Sequence, residues 1–433
     1  MKFYLGLTVL CTSAFGWTDF KFDQKMVSTA ITGAAKVGMS LTSTSDMTHF
    51  IAGAPENDSQ KGAGVRWEKN TTFVTSTNLL LLDTVIGQAN YGTKAAISPD
   101  NAVMALGAPN DDSGKGAVFA HIASGSVWNS SASTFKIKNT AADAFGTDVA
   151  LSTDGTYLAV GAEGDSTNAG TVYIYTRSGT TWAVQGGKLT GTGATGAAKQ
   201  GSTVALSGAG DILVSGGPAD DSAKGAVWVF KRSGTTWSQV GSKLVGTNMT
   251  GASTFGSALS LSSDGLNLVV GGSDDDSFKG AVWFFTCTAA GACTQKGTKL
   301  VGIMAASKFG ISVHIDGTVA GGLYLAVGAG AAVSNMGYAY LYEYVTDKFV
   351  KKQDFTPRST AGPAIGSSAY FGYSVRVSQS KKVLLVGGWG DDSNKGAVWA
   401  YSAPANPTFN AAISASPAYL VIIFVVATAG FFL

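Results

Sequence analysis

Charge is scarce in this chain: Asp, Glu, Lys and Arg make up 13% of its 433 residues and nearly cancel, to a net +2. Runs of Lys or Arg do not extend beyond pairs such as Lys351-Lys352, which excludes a surface that tracks a phosphate backbone. Histidine is equally sparse. His49, His121 and His314 share no spacing with one another or with an acid, and no zinc-ligand spacing, phosphate loop or nucleophile elbow occurs. No long stretch shows helical periodicity, so a helical bundle is excluded. What the chain has instead is glycine, 57 residues of it, with abundant Ser and Thr.

The glycines are periodic. A motif recurs seven times, an aromatic-Gly or X-Gly step followed by an alternating apolar run and then Gly-Ala-Pro or a variant. Its leading glycines are Gly38, Gly92, Gly146, Gly201, Gly256, Gly310 and Gly372, at steps of 54, 54, 55, 55, 54 and 62 residues. The second glycine follows after 15 residues in six copies and after 18 in the sixth, at Gly328. A fixed period of this length means an array of like units.

Within the copy that runs from Phe145 to Gly191, apolar residues alternate and the alternation breaks at Thr153-Asp154-Gly155 and Ser178-Gly179. Glycine accepts the positive φ of tight hairpins, so each unit reads as four short antiparallel strands. The fold class is therefore all-β, a seven-bladed β-propeller of four-stranded antiparallel blades spanning 17–404. Ring closure removes bare sheet edges. The seventh unit stops after a third strand at Trp399-Ala400-Tyr401, while residues 17–33 read as an orphan fourth strand. The N-terminal strand is expected to complete the last blade.

Phe145-Gly146, Phe255-Gly256, Phe309-Gly310 and Phe371-Gly372, with Gly53-Ala54-Pro55 and Gly107-Ala108-Pro109, carry a family likeness. The chain resembles the FG-GAP repeats of integrin α-subunit propellers and, more closely, the shorter FG-GAP repeats of bacterial and protist surface proteins. That resemblance implies a propeller used mainly for adhesion or ligand binding.

Residues 1–16 read as a secretory signal, with one early lysine, an apolar stretch and small residues before Trp17. Residues 405–433 read as a GPI-anchor signal or C-terminal hydrophobic tail. The final apolar run, Ala418 to Leu433, falls short of the roughly 20 residues a spanning helix needs, and Asn410-Ala411-Ala412 supplies small residues, so attachment is expected at Asn410. A single-pass tail and a secreted form are the alternatives. On this reading the protein stands on the extracellular face of the plasma membrane.

An oxidising compartment would pair Cys287 with Cys293, stapling strand three to strand four of the fifth blade. Asn57, Asn70, Asn129 and Asn248 open N-glycosylation tripeptides.

An Asp-Ser-X-Lys-Gly core occurs between strands two and three in five of the seven copies. Clustered carboxylates there make Asp112, Asp221, Asp276 and Asp392 candidates for calcium, the one cofactor considered. The structural alternative is that Asp and Ser cap the turn through hydrogen bonds to the backbone while Gly takes the left-handed position. The calcium loop of integrins has three Asp before the Gly-Ala-Pro strand; here Ser152-Thr153-Asp154-Gly155 offers one, so those ligands do not carry over.

Departures from a repeat are where binding surface is sought. Copy six lacks the acidic loop and carries an insertion at Gly317–Gly322; copy seven follows an irregular connection, 346–368, with Lys348, Lys351, Lys352 and Arg358 close together. Trp228, Trp283 and Trp399 recur at one position and read as packing between blades. Trp389 stands where Pro55 and Pro109 stand and is the tryptophan expected to touch ligand. The function expected is a surface propeller for adhesion or recognition of a protein or glycan ligand across one loop face, not an enzyme, with no nucleic-acid partner. A glycan-active hydrolase or lyase and a structural coat protein are the alternatives. A deep axial pocket lined by two or more carboxylates would favour the hydrolase.

Overall fold

The computed structural model describes residues 20–28, 31, 33–69, 73–80, 85–123, 134–357, 368–380 and 382–403. They form seven antiparallel sheets arranged as blades of a ring. Blade one is built from Ser40–Ser43, His49–Gly53, Gly64–Lys69 and Phe73–Leu80. Blade three shows how the sequence sets register: Val149 faces Val160 and Leu151 faces Leu158 across the turn at Asp154-Gly155. In blade five the outer strand is split, and Leu300–Val301 rejoins the third strand beyond Cys293–Gln295.

The N-terminal strand Lys21–Met26 pairs with Ala397–Ser402 and so becomes the fourth strand of blade seven. Gln353 of blade six holds its start, accepting the Phe20 N–H and donating to the Phe20 carbonyl, each at 3.1 Å.

The hydrophobic residues divide into seven clusters, one per seam between neighbouring blades. Trp228 packs with Ala159 and Val172 of the preceding blade, and Trp283 with Val214 and Val227. The closing seam is built like the rest, with Leu41, Phe50 and Trp67 of blade one against Val383, Leu385 and Val398 of blade seven.

The Gly-Gly spacing has a direct physical cause. Gly107 of blade two lies under the carbonyl of Gly146 of blade three, where a β-carbon would fall 2.1 Å from the oxygen. No side chain fits such an approach, and Gly146 itself has a φ of +90°. At closure Gly387 meets Gly38 in the same way, at 2.4 Å.

The loop between strands two and three is the clip between blades. In blade two, Asp112 and Ser113 have φ of 54° and 60°, left-handed backbone that costs roughly 1–2 kcal/mol per residue for an L side chain. This conformation turns the Gly114 and Lys115 carbonyls outward to accept the Ala144 and Phe145 N–H groups of blade three, at 2.8 and 3.1 Å. The same clip closes the ring: Asn394 and Lys395 accept from Lys36 and Val37, both at 2.8 Å.

Two expectations are corrected here. The residue before each turn makes no side-chain cap hydrogen bond, and Asp111, Asp220 and Asp275 instead accept the Ile86, Thr195 and Thr250 N–H groups of the preceding connection. The left-handed positions belong to Asp, Ser and the residue after them as well as to Gly. Copy six, which lacks the acid, keeps the turn, with Val333 and Ser334 at φ of 49° and 53°. The shape is therefore fixed by backbone bonds to the next blade. Secondly, the connection 346–368 is not wholly irregular: Lys348–Phe355 is the outer strand of blade six.

Candidate functional site in the axial channel

The innermost strand of each blade begins at the leading glycine, and together these strands line an axial channel of ≈ 680 Å³. Because the sheets do not ladder across seams, side chains bridge their inner edges. Two positions after the glycine, the rule is a hydroxyl that donates to the glycine carbonyl of the next blade. Ser40 reaches Gly92 at 2.9 Å, Thr203 reaches Gly256 at 2.6 Å, Ser312 reaches Gly372 at 2.8 Å and Ser374 reaches Gly38 at 2.7 Å.

Blade five has Ala258 at this position, and blades two and three break the rule with charge, Lys94 and Asp148. Asp148 accepts the Val149 and Val204 N–H groups, both at 2.9 Å, the second across a seam. It is partly exposed to the channel, yet it lies deep in the ring, and burial raises its pKa despite the nearby Lys94.

Blades six and seven break the repeat again. Four positions after the glycine, where Ala96, Ala150 and Ala205 stand elsewhere, blade six has His314 and blade seven Arg376; two further on, Asp316 replaces the turn serine. His314 accepts the Val377 N–H at Nδ1, 3.2 Å away, so its neutral ring carries the proton on Nε2. Burial, reinforced by the Arg376 charge, holds its pKa well below the ordinary value. Asp316 accepts the Gln379 N–H at 2.7 Å, and burial raises its pKa. Arg376 donates from Nε to the Leu41 carbonyl at 2.9 Å; burial lowers its pKa to about 10, opposed by Asp148 and then Asp316.

Three seams separate blade seven from blade three, so Arg376 and Asp148 face each other across the axis. Among the described residues neither Lys94 nor Arg376 forms an ion pair with a carboxylate. Elsewhere the chain pairs its charges closely. Lys136 bonds the buried Asp111 at 2.7 Å, Lys188 bonds Asp165 at 2.8 Å, Lys243 bonds Asp220 at 2.5 Å, and Lys299 bonds Asp275. In the channel, by contrast, four charged side chains from four blades gather without a direct ion pair among them.

The residues singled out in the sequence lie away from this channel. One face of the Trp389 ring is stacked on Tyr370 at 4.1 Å, and the Lys36 ammonium lies 4.7 Å from the ring centroid. A ring at stacking distance leaves no room for that ammonium on the same side, so both faces of Trp389 are covered and it clamps the closing seam. Lys348 is exposed on the outer edge, Lys351 pairs with Asp354 at 3.0 Å and Lys352 with Glu343 at 2.8 Å. Lysine on an outer strand discourages edge-to-edge pairing. Arg358 lies outside the described residues.

Asp221, Asp276 and Asp392 face the lysine three residues on, at 2.9, 3.7 and 3.1 Å, and Asp112 faces Lys138 at 3.3 Å. Among the described residues no group of three His, Cys, Asp or Glu is placed to hold a metal ion. Cys287 and Cys293 form a disulfide between facing positions of adjacent strands. Asn248 is exposed, whereas Asn57 is 1% exposed at the buried first position of its turn, where a glycan would displace the clip. Asn70, Asn129, Asn410, the leader and the apolar tail lie outside the described residues. No helix of the described residues is long and apolar enough to cross a membrane.

Reading along the chain missed the channel residues because each is an ordinary polar residue in an alternating strand. Aligning the seven copies on the leading glycine and reading two, four and six positions onward would have exposed them. The FG-GAP repeat family pattern matches residues 139–175, which cover most of the first three strands of blade three. No curated protein matches the chain.

Proposed function

Taking this chain as an FG-GAP β-propeller, we propose that it is a recognition protein of the cell surface that takes part of a protein or glycan ligand into its axial channel. The observation that carries this reading is that Lys94, Asp148, Asp316 and Arg376, with no direct ion pair among them, gather in the channel of an otherwise regular ring. A propeller scaffold is satisfied by Ser, Thr and Ala at these positions, as its other blades demonstrate. Polar groups converging in a cavity of this size match the make-up of ligand sites. The leader-like residues 1–16 and the tail 405–433 support surface display through a GPI anchor. Release from cells by a phosphatidylinositol-specific phospholipase is the expected result; retention would point to a spanning tail.

Glycan and protein arrays probed with the purified full chain test recognition. Binding that Arg376→Gln weakens supports the reading, and blank arrays would sink it. A second reading also has an observation behind it. Asp148 and Asp316 are two axial carboxylates with raised pKa, the property a general acid needs. Each also accepts backbone N–H bonds that hold it as an acceptor. Turnover of any member of a polysaccharide panel, lost on Asp148→Asn, would move the function to hydrolysis.

A further inference from the structure

We propose that the axial channel binds a compact zwitterion, a free α-amino acid or a group carrying the same ammonium and carboxylate, between Lys94 and Asp148 on one side and Asp316 and Arg376 on the other. This assignment rests on the channel being the ligand site and adds the chemistry of what enters it. Two cations and two anions line one cavity without a direct ion pair among them. They come from opposite parts of the ring, blades two and three against blades six and seven.

Each simpler ligand leaves charge uncompensated. A plain anion drawn to Arg376 or Lys94 meets Asp316 or Asp148 on the neighbouring blade, and a plain cation has the reverse difficulty. A neutral sugar displaces water from four charged groups and returns no opposite charge, which is expensive in a confined site. A molecule bearing both signs finds a cation and an anion on each wall. Its carboxylate meets the guanidinium, which keeps donors beyond the Nε–H given to Leu41, and its ammonium meets Asp148 across the axis. His314 completes the cradle: with Nδ1 committed to Val377, its Nε2–H is the remaining donor.

The test is titration of the purified full chain with the free amino acids, each compared with its N-acetylated and its amidated form, by calorimetry and by NMR of the His314 ring. Saturable binding that weakens about tenfold or more when either end is blocked is expected. Lys94→Gln, which removes no bond of the fold, and Arg376→Gln should each weaken carboxylate-bearing ligands, and Asp148→Asn those bearing the ammonium. Absence of saturable binding by every free amino acid, or binding indifferent to blocking, overturns the zwitterion. If the amino acids fail while Arg376→Gln still abolishes capture on the arrays, the class of ligand is wrong and the channel reading stands. If the arrays are blank as well, both fall.

Discussion

Lys25, in the first described strand, places its ammonium 2.5 Å from the carboxylate of Asp391 in the last blade, and both side chains are almost wholly buried. The pair repeats at closure the bond that Lys136 makes to Asp111 inside blade two. Lys25→Met would leave the Asp391 charge buried without its partner, a loss of roughly 3–5 kcal/mol. Lys138→Ala, which removes the exposed partner of Asp112, should cost below about 1 kcal/mol. Denaturant unfolding of the two variants should separate them clearly; equal midpoints would mean that closure does not depend on the pair.

Gly107 predicts an equally sharp contrast. Gly107→Ala sets a β-carbon 2.1 Å from a backbone oxygen, and two blades must part to relieve it. A loss of at least about 3 kcal/mol, or failure to fold, is expected. Gly187 has no atom within 4 Å of its notional β-carbon and no left-handed φ, so Gly187→Ala should change stability by less than about 1 kcal/mol. Thermal melts of the pair decide whether the Gly-Gly seam holds the ring.

These seams explain how much could be read without coordinates. Blade number, strand order and ring closure are written in local signals, the glycine period and the two-residue alternation, because every blade repeats the same contacts. The clip at Asp111–Gly116 was visible as a motif, but its purpose was not, since the groups it binds, Ala144 and Phe145, belong to the next repeat. Trp389 looked exceptional in sequence, yet Tyr370 and Lys36 cover it only once the ring closes. The channel depends on residues three seams apart, such as Asp148 and Arg376, and no local pattern connects them.

The loop carboxylates bear on metal dependence. Asp111, Asp165, Asp220, Asp275 and Asp391 are each neutralised by a lysine, and copy six forms the same turn without an acid. Removing calcium with a chelator should therefore leave the melting temperature unchanged. A rise of several degrees on adding millimolar calcium, abolished by Asp221→Asn, would show that the exposed carboxylates hold the ion.

His121 sets an acid limit on stability. Its ring is 1% exposed, with Nε2 2.8 Å from the Tyr91 hydroxyl and Nδ1 2.9 Å from the Thr134 hydroxyl. Burial pushes its pKa down to about 4 from an ordinary 6.5. The unfolded chain thus binds a proton over a pH range in which the folded ring refuses it. Stability is complete above about pH 6.5 and falls as pH drops toward 4, by roughly 3 kcal/mol in all, before levelling below the folded pKa. His121→Gln can keep one hydroxyl partner on each side of its amide but has no proton to gain. Its unfolding free energy should lose this component of the slope between pH 6.5 and 4, staying close to the parent near pH 7 and exceeding it as the pH falls. His314 and His49, whose pKa values burial also lowers, would supply further slope of the same sign. A variant whose slope matches the parent's would mean that His121 is protonated in the folded ring.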